Sequence, residues 1–150
     1  MNFDHEIKVR RIAVSIMAPD VPLVVGDGWF HVVLKAVREL CDLQFRSRLP
    51  LKITGIVVEQ GGVAIATNID EIQAPDSIRH LVSVIAAAAD DRARTRCQVC
   101  GGLWRSIRTG RTWRTRCDVC NSMRIPVMPD GYSNLKPDRY SNLMPDTIPI

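Results

Sequence analysis

Two Cys-x-x-Cys pairs, Cys97/Cys100 and Cys117/Cys120, stand sixteen residues apart, and no other feature restricts the fold of this chain as tightly. A gap of two residues lets both sulfurs of a pair reach one tetrahedral ion while amides of the same turn donate to them. Four thiolates complete the coordination of Zn2+ and leave no position for water, so the spacing predicts a closed, structural metal site rather than a catalytic one. Iron held by the same four sulfurs is the remaining alternative. Gly101, directly after the first pair, supplies the permissive backbone such a turn needs. A disulfide framework is not expected. The start, MNFDHEIKVRR, is too polar for a secretion signal, and no apolar run approaches the roughly 18 residues of a membrane span. Both points predict a soluble, cytoplasmic chain with no membrane partner, in a reducing compartment where paired cysteines bind metal. Cys41, the fifth cysteine, falls on the apolar stripe of a helix and reads as a core thiol.

The net charge of +4 conceals a division along the chain: residues 1–91 sum to −3, residues 92–124 to +8 and residues 125–150 to −1. Charge concentrated in this way predicts an anionic partner, DNA or RNA foremost. A two-residue turn at Thr109-Gly110 would pair Arg108 with Arg111, Ser106 with Trp113 and Trp104 with Thr115. One face of that hairpin then carries Trp104, Arg108, Arg111 and Trp113, and the other Arg105, Arg114 and Arg116. Guanidinium groups pair with phosphates and indoles stack on unpaired bases, at about 1–3 kcal/mol per base. These seven residues are therefore the candidate nucleic-acid contacts. Two plainer assignments stay open: the arginines form a solvated face or pair with Asp90 and Asp91, and the tryptophans cover the cysteine turn or dock it onto the rest of the chain.

Alternation of apolar and polar residues from Ile7 to Ile16 predicts a strand over about 6–17. Apolar positions at three- and four-residue intervals predict a helix over 29–45, with Asp27 in its cap region. Ile53 through Val58 and Val63 through Thr67 read as a hairpin turning at the glycines, and Pro75-Asp76-Ser77 opens a helix over 77–93. The expected fold is α+β: a small antiparallel sheet with two helices over 1–93, a four-cysteine zinc ribbon or treble-clef module over 94–125, and an extended or disordered tail over 126–150. The tail holds an eight-residue repeat, Pro129 to Lys136 and Pro137 to Met144. Its copies of Tyr-Ser-Asn-Leu read either as slippage duplication or as a doubled linear motif for a partner groove.

No nucleophile–base arrangement is legible. His5, His31 and His80 fall in three separate elements, and Gly26-Asp27-Gly28 lacks the spacing and the Lys-Ser/Thr of a phosphate loop, so an enzyme is not expected. The GDGWF segment from Gly26 to Phe30 heading a helix, the Gly61-Gly62 hairpin, the helix over 77–93 and Cys-x-x-Cys-Gly followed by Trp and Cys-Asp-x-Cys resemble a group of small bacterial and phage proteins of uncharacterised function. The resemblance spans about residues 26–120. It departs before the double glycine, where Val57-Val58-Glu59-Gln60 replaces a strand bearing Lys and Phe. It implies a common architecture and a zinc module, not an activity. Two functional classes follow from the sequence: a zinc-binding protein that contacts nucleic acid through the arginine-rich hairpin, or an adaptor or inhibitor docking on a larger protein partner through the module and tail.

Overall fold

Asn2 caps the first element, accepting a hydrogen bond from the His5 amide at 2.9 Å. Asp4 and Glu6 occupy the first turn that follows and Arg10 and Arg11 the last, each sign at the end of the helix that favours it. The result is helix α1, Phe3–Ile12, extended by a 3-10 turn over Ala13–Ser15, where alternation had predicted a strand. The reason is in the burial: Val9, Ala13 and Ile16 are wholly enclosed at intervals of four and three, while Ile7 is exposed. A four-residue alternation fits either period, and the cap with its flanking charges decides for the helix.

A computed structural model describes residues 1–122, so the tail and its repeat lie outside the described residues. After α1 come strand β1 (Leu23–Val24), a 3-10 turn over Asp27–Trp29, helix α2 (Phe30–Ser47), strands β2 (Ile53–Glu59) and β3 (Gly62–Thr67), and helix α3 (Asp76–Arg94). Strands β4 (Ile107–Thr109) and β5 (Thr112–Arg114) and the short helix α4 (Asp118–Ser122) complete the order. The fold is α+β, with four α-helices among the described residues rather than two. Its larger sheet, ordered β1-β2-β3, is mixed: β2 and β3 are antiparallel as expected, but β1 pairs in parallel with β2, Leu23 opposite Ile56. The parallel partner is the chain between Pro22 and Val25, downstream of the expected strand over 6–17.

The main hairpin turns on Gln60 and Gly61, both at positive φ (45° and 81°), the backbone twist that matches two right-handed strands. Helix α3 packs on β3 and α2, and α2 on α1. Their apolar faces meet the sheet in one core containing Trp29, Val33, Val37, Leu40, Ile53, Ile56, Val82 and Ala89. Trp29 is the largest fully buried side chain. Truncating a tryptophan so placed costs about 3–5 kcal/mol. No helix among the described residues is long and apolar enough to cross a membrane.

Candidate metal centre and its arginine-rich hairpin

Helix α3 ends two residues before Arg96, and the chain folds back on itself at once. The Cys97 amide donates to Gly102 O at 2.9 Å and Gly101 N to Cys97 O at 2.9 Å, with Gly101 at φ 72°. The tight turn between them carries Cys97 and Cys100. The second pair is built differently: Cys117 immediately precedes α4 and Cys120 lies within it, its amide donating to Cys117 Sγ at 3.5 Å. The four sulfurs all lie within 4.8 Å of one another, Cys100 and Cys117 at 3.8 Å. With Zn–S bonds of about 2.3 Å, the edge of a regular tetrahedron is about 3.8 Å, so the donor set matches a four-thiolate metal site. Among the described residues this is the one cluster of metal-ligating side chains. Cys41 stands apart on α2, its thiol donating to Ile12 O at 3.5 Å and pushed up in pKa by burial.

The four thiols differ in electrostatic setting. Burial works against the Cys97 thiolate, but backbone donors at Cys100, Cys117 and Val99 outweigh it and hold the group down to about 6; the Val99 and Cys117 amides stand 3.4 and 3.3 Å from its sulfur. Burial, then the neighbouring thiols, push Cys120 up to about 12. One sulfur in the cluster is held ionisable by backbone donors and another is held neutral first by burial and then by its neighbours.

The first cysteine turn rests on Gly26-Asp27-Gly28, the segment that leads into α2. Gly28 N donates to Gln98 O at 2.9 Å, and a Cβ on Gly28 would fall 2.2 Å from Cys97 O and 2.3 Å from Gly101 N. Only glycine permits that approach. Next to it, the buried Trp29 donates from Nε1 to Arg96 O at 2.9 Å. Asp27 does not cap α2; its carboxylate accepts from the Asn2 amide and from His5 Nδ1 instead, tying the start of α1 to the same corner. The sequence signal was a Gly-x-Gly-Trp at a helix head, but its partner lies seventy residues away in the chain and no local rule names it.

The hairpin between the pairs runs in a different register from the expected one. Arg108 lies opposite Trp113 and Ile107 opposite Arg114, so Gly110-Arg111 is the turn, not Thr109-Gly110. Gly110 takes φ 62°, which places the glycine first in a type II′ turn. The expected register would have demanded positive φ of the β-branched Thr109, an expensive conformation. Arg111 consequently sits at the tip rather than opposite Arg108. Arg105, Arg108, Arg111 and Arg116 are exposed, and among the described residues none has a carboxylate within ion-pair distance. Arg114 differs: it pairs with Asp118 at 2.6 Å and lies over the Trp104 ring, 5.2 Å from its centroid. Trp113 lies against Gly61 of the main hairpin, where an added Cβ would come 2.7 Å from the ring, and Arg94 sits over it at 5.4 Å. Arg94 in turn bonds Gln60 O and pairs with Asp90, both at 2.8 Å.

Compared with known proteins, the chain matches no family model, no curated protein and no solved structure.

Proposed function

We propose that this chain is a non-enzymatic zinc protein in which a treble-clef centre holds an arginine-rich hairpin against DNA or RNA. The treble-clef reading is supported by the asymmetry of the two pairs: Cys97 and Cys100 on a tight turn, Cys117 and Cys120 at the start of α4. Zinc suits four thiolates with no open position, and such a centre does structural work. One observation carries the nucleic-acid reading: Arg105, Arg108, Arg111 and Arg116 stand exposed on a small braced module without acidic partners among the described residues. Guanidinium groups in that state suit phosphate oxygens, singly or in bidentate pairs. Arg114 and the two tryptophans brace the display rather than join it.

A gel-shift series with duplex, single-stranded and RNA probes across salt tests the reading. The double variant Arg108→Glu, Arg111→Glu is expected to weaken binding and to reduce the slope of log affinity against log salt by about 2, with zinc content unchanged. Unaltered binding at low salt would eliminate the proposal. A second reading, docking on a protein partner, is favoured by Leu103 and Val119, which are 85% and 67% exposed on the same module. It predicts retention by a protein partner that survives high salt and is lost on Leu103→Asp.

A further inference from the structure

A cavity of about 550 Å³ opens beside the first cysteine turn, between the start of α1, the start of α2 and the end of α3. Three cationic side chains from three different segments line it, Lys35, Arg92 and Arg96, against the single carboxylate of Asp27. That carboxylate is already engaged, by the Asn2 amide at 2.6 Å and His5 Nδ1 at 3.1 Å. The cations are far less committed. Arg92 has no carboxylate within ion-pair distance among the described residues, Arg96 uses one N–H on Gly101 O at 3.0 Å, and Lys35 makes a loose, exposed pair with Glu39 at 3.7 Å. His5 and His31 also line the cavity, both set against Phe30: the His5 ring stacks on it at 3.9 Å and 9°, and the His31 ring is tilted at 60° with centroids 5.0 Å apart, so the wall is aromatic but not flat.

We propose that this cavity binds the phosphate monoester of a nucleotide, either free or at the end of a strand. Its volume falls in the range of small-ligand pockets, three cations can share one phosphate, and the imidazoles offer a surface for a base. The site is separate from the β4–β5 hairpin and does not depend on the hairpin's contacting nucleic acid. The competing role for Lys35, Arg92 and Arg96 is to balance a zinc tetrathiolate, which carries a formal charge of −2 and has Cys100 on the cavity wall.

Calorimetric titration of the zinc-loaded full chain at about 50 mM salt, where phosphate contacts are least screened, separates the two roles. The probes are inorganic phosphate, adenosine monophosphate, and one oligonucleotide carrying either a 5′-phosphate or a 5′-hydroxyl. Phosphate and the mononucleotide are expected to bind, with Arg92→Gln and Lys35→Gln each weakening them about 10-fold, zinc content intact and Arg46→Gln, at the far end of α2, without effect. Arg92→Lys, which keeps the charge, should retain both metal and most of the affinity, so a variant that merely misfolds is recognised. Preference for the 5′-phosphorylated strand would assign the monoester to a strand end, and strong binding of the mononucleotide with no such preference to a free nucleotide. Failure of every phosphate probe to bind, binding indifferent to both glutamine variants, or loss of zinc with phosphate binding unchanged would overturn the proposal.

Discussion

Gly26 and Gly28 are the residues on which the cysteine turn presses: an added Cβ would fall 2.0 Å from Gln98 O at Gly26 and 2.2 Å from Cys97 O at Gly28. At Gly28 the nearest atoms, Cys97 O, Gly101 N and Gln98 C, are all backbone, so none can rotate aside as a side-chain tip would. Gly28→Ala must either push the cysteine turn outward or break the 2.9 Å bond from its own amide to Gln98 O. Overpacking of this kind costs about 1–3 kcal/mol, and here the strain falls directly on a ligand. The variant is expected to be less stable to denaturant by that amount and to surrender zinc to a competing chelator faster than the parent. Equal rates of zinc loss would show that the turn does not lean on Gly28. By contrast the convergence of the four cysteines was legible from spacing alone, because tetrahedral coordination leaves few ways to arrange two such pairs.

Among the elements, α2, β2, β3 and α3 follow from periodicity and turn residues within two residues of their expected ends, since each buries a face long enough to show its period. Helix α1 and the β4–β5 register did not follow, and for the same physical reason. Each is short, so a period is ambiguous, and the outcome rests on single residues: the Asn2 cap in one case, the conformational preference of Gly110 over Thr109 in the other. The hairpin's attachment was legible only as an alternative, in which a tryptophan docks the module onto the rest of the chain. Trp113 is half-exposed and gains the Gly61 contact together with the Arg94 guanidinium. Its truncation, Trp113→Ala, is expected to cost about 2 kcal/mol, less than a fully buried tryptophan, in urea unfolding of the zinc-loaded protein. Single-strand affinity measured on the folded fraction should not change. The reverse pattern, lost affinity with unchanged stability, would show that the indole stacks on bases and not on Gly61.

At the scale of the whole molecule, the sequence invites a division into an α+β part over 1–93 and a metal module over 94–125, yet the contacts across that line are neither few nor peripheral. The buried Trp29 bonds Arg96 O, Gly28 bonds Gln98 O, Arg94 bonds Gln60 O, and Trp113 rests on the main hairpin. A separable module would melt on its own when stripped of metal. An interlocked one transmits the loss, because Arg96, which leads into the turn of Cys97 and Cys100, accepts the Trp29 indole hydrogen bond, and four thiolates without an ion repel one another or must take up protons. Chelation of the zinc is therefore expected to lower the melting temperature of the α1–α3 core itself, followed by Trp29 fluorescence in a variant whose other tryptophans are phenylalanine, and readdition of zinc to restore it. Binding restricted to the folded state stabilises by RT ln(1 + [L]/Kd), about 4 kcal/mol at a thousandfold excess over Kd, enough to move a domain of this size by roughly ten degrees or more. A core transition that stays in place while the module alone loses structure would establish two independent units, and with them a metal centre that could be exchanged without disturbing the fold that carries it.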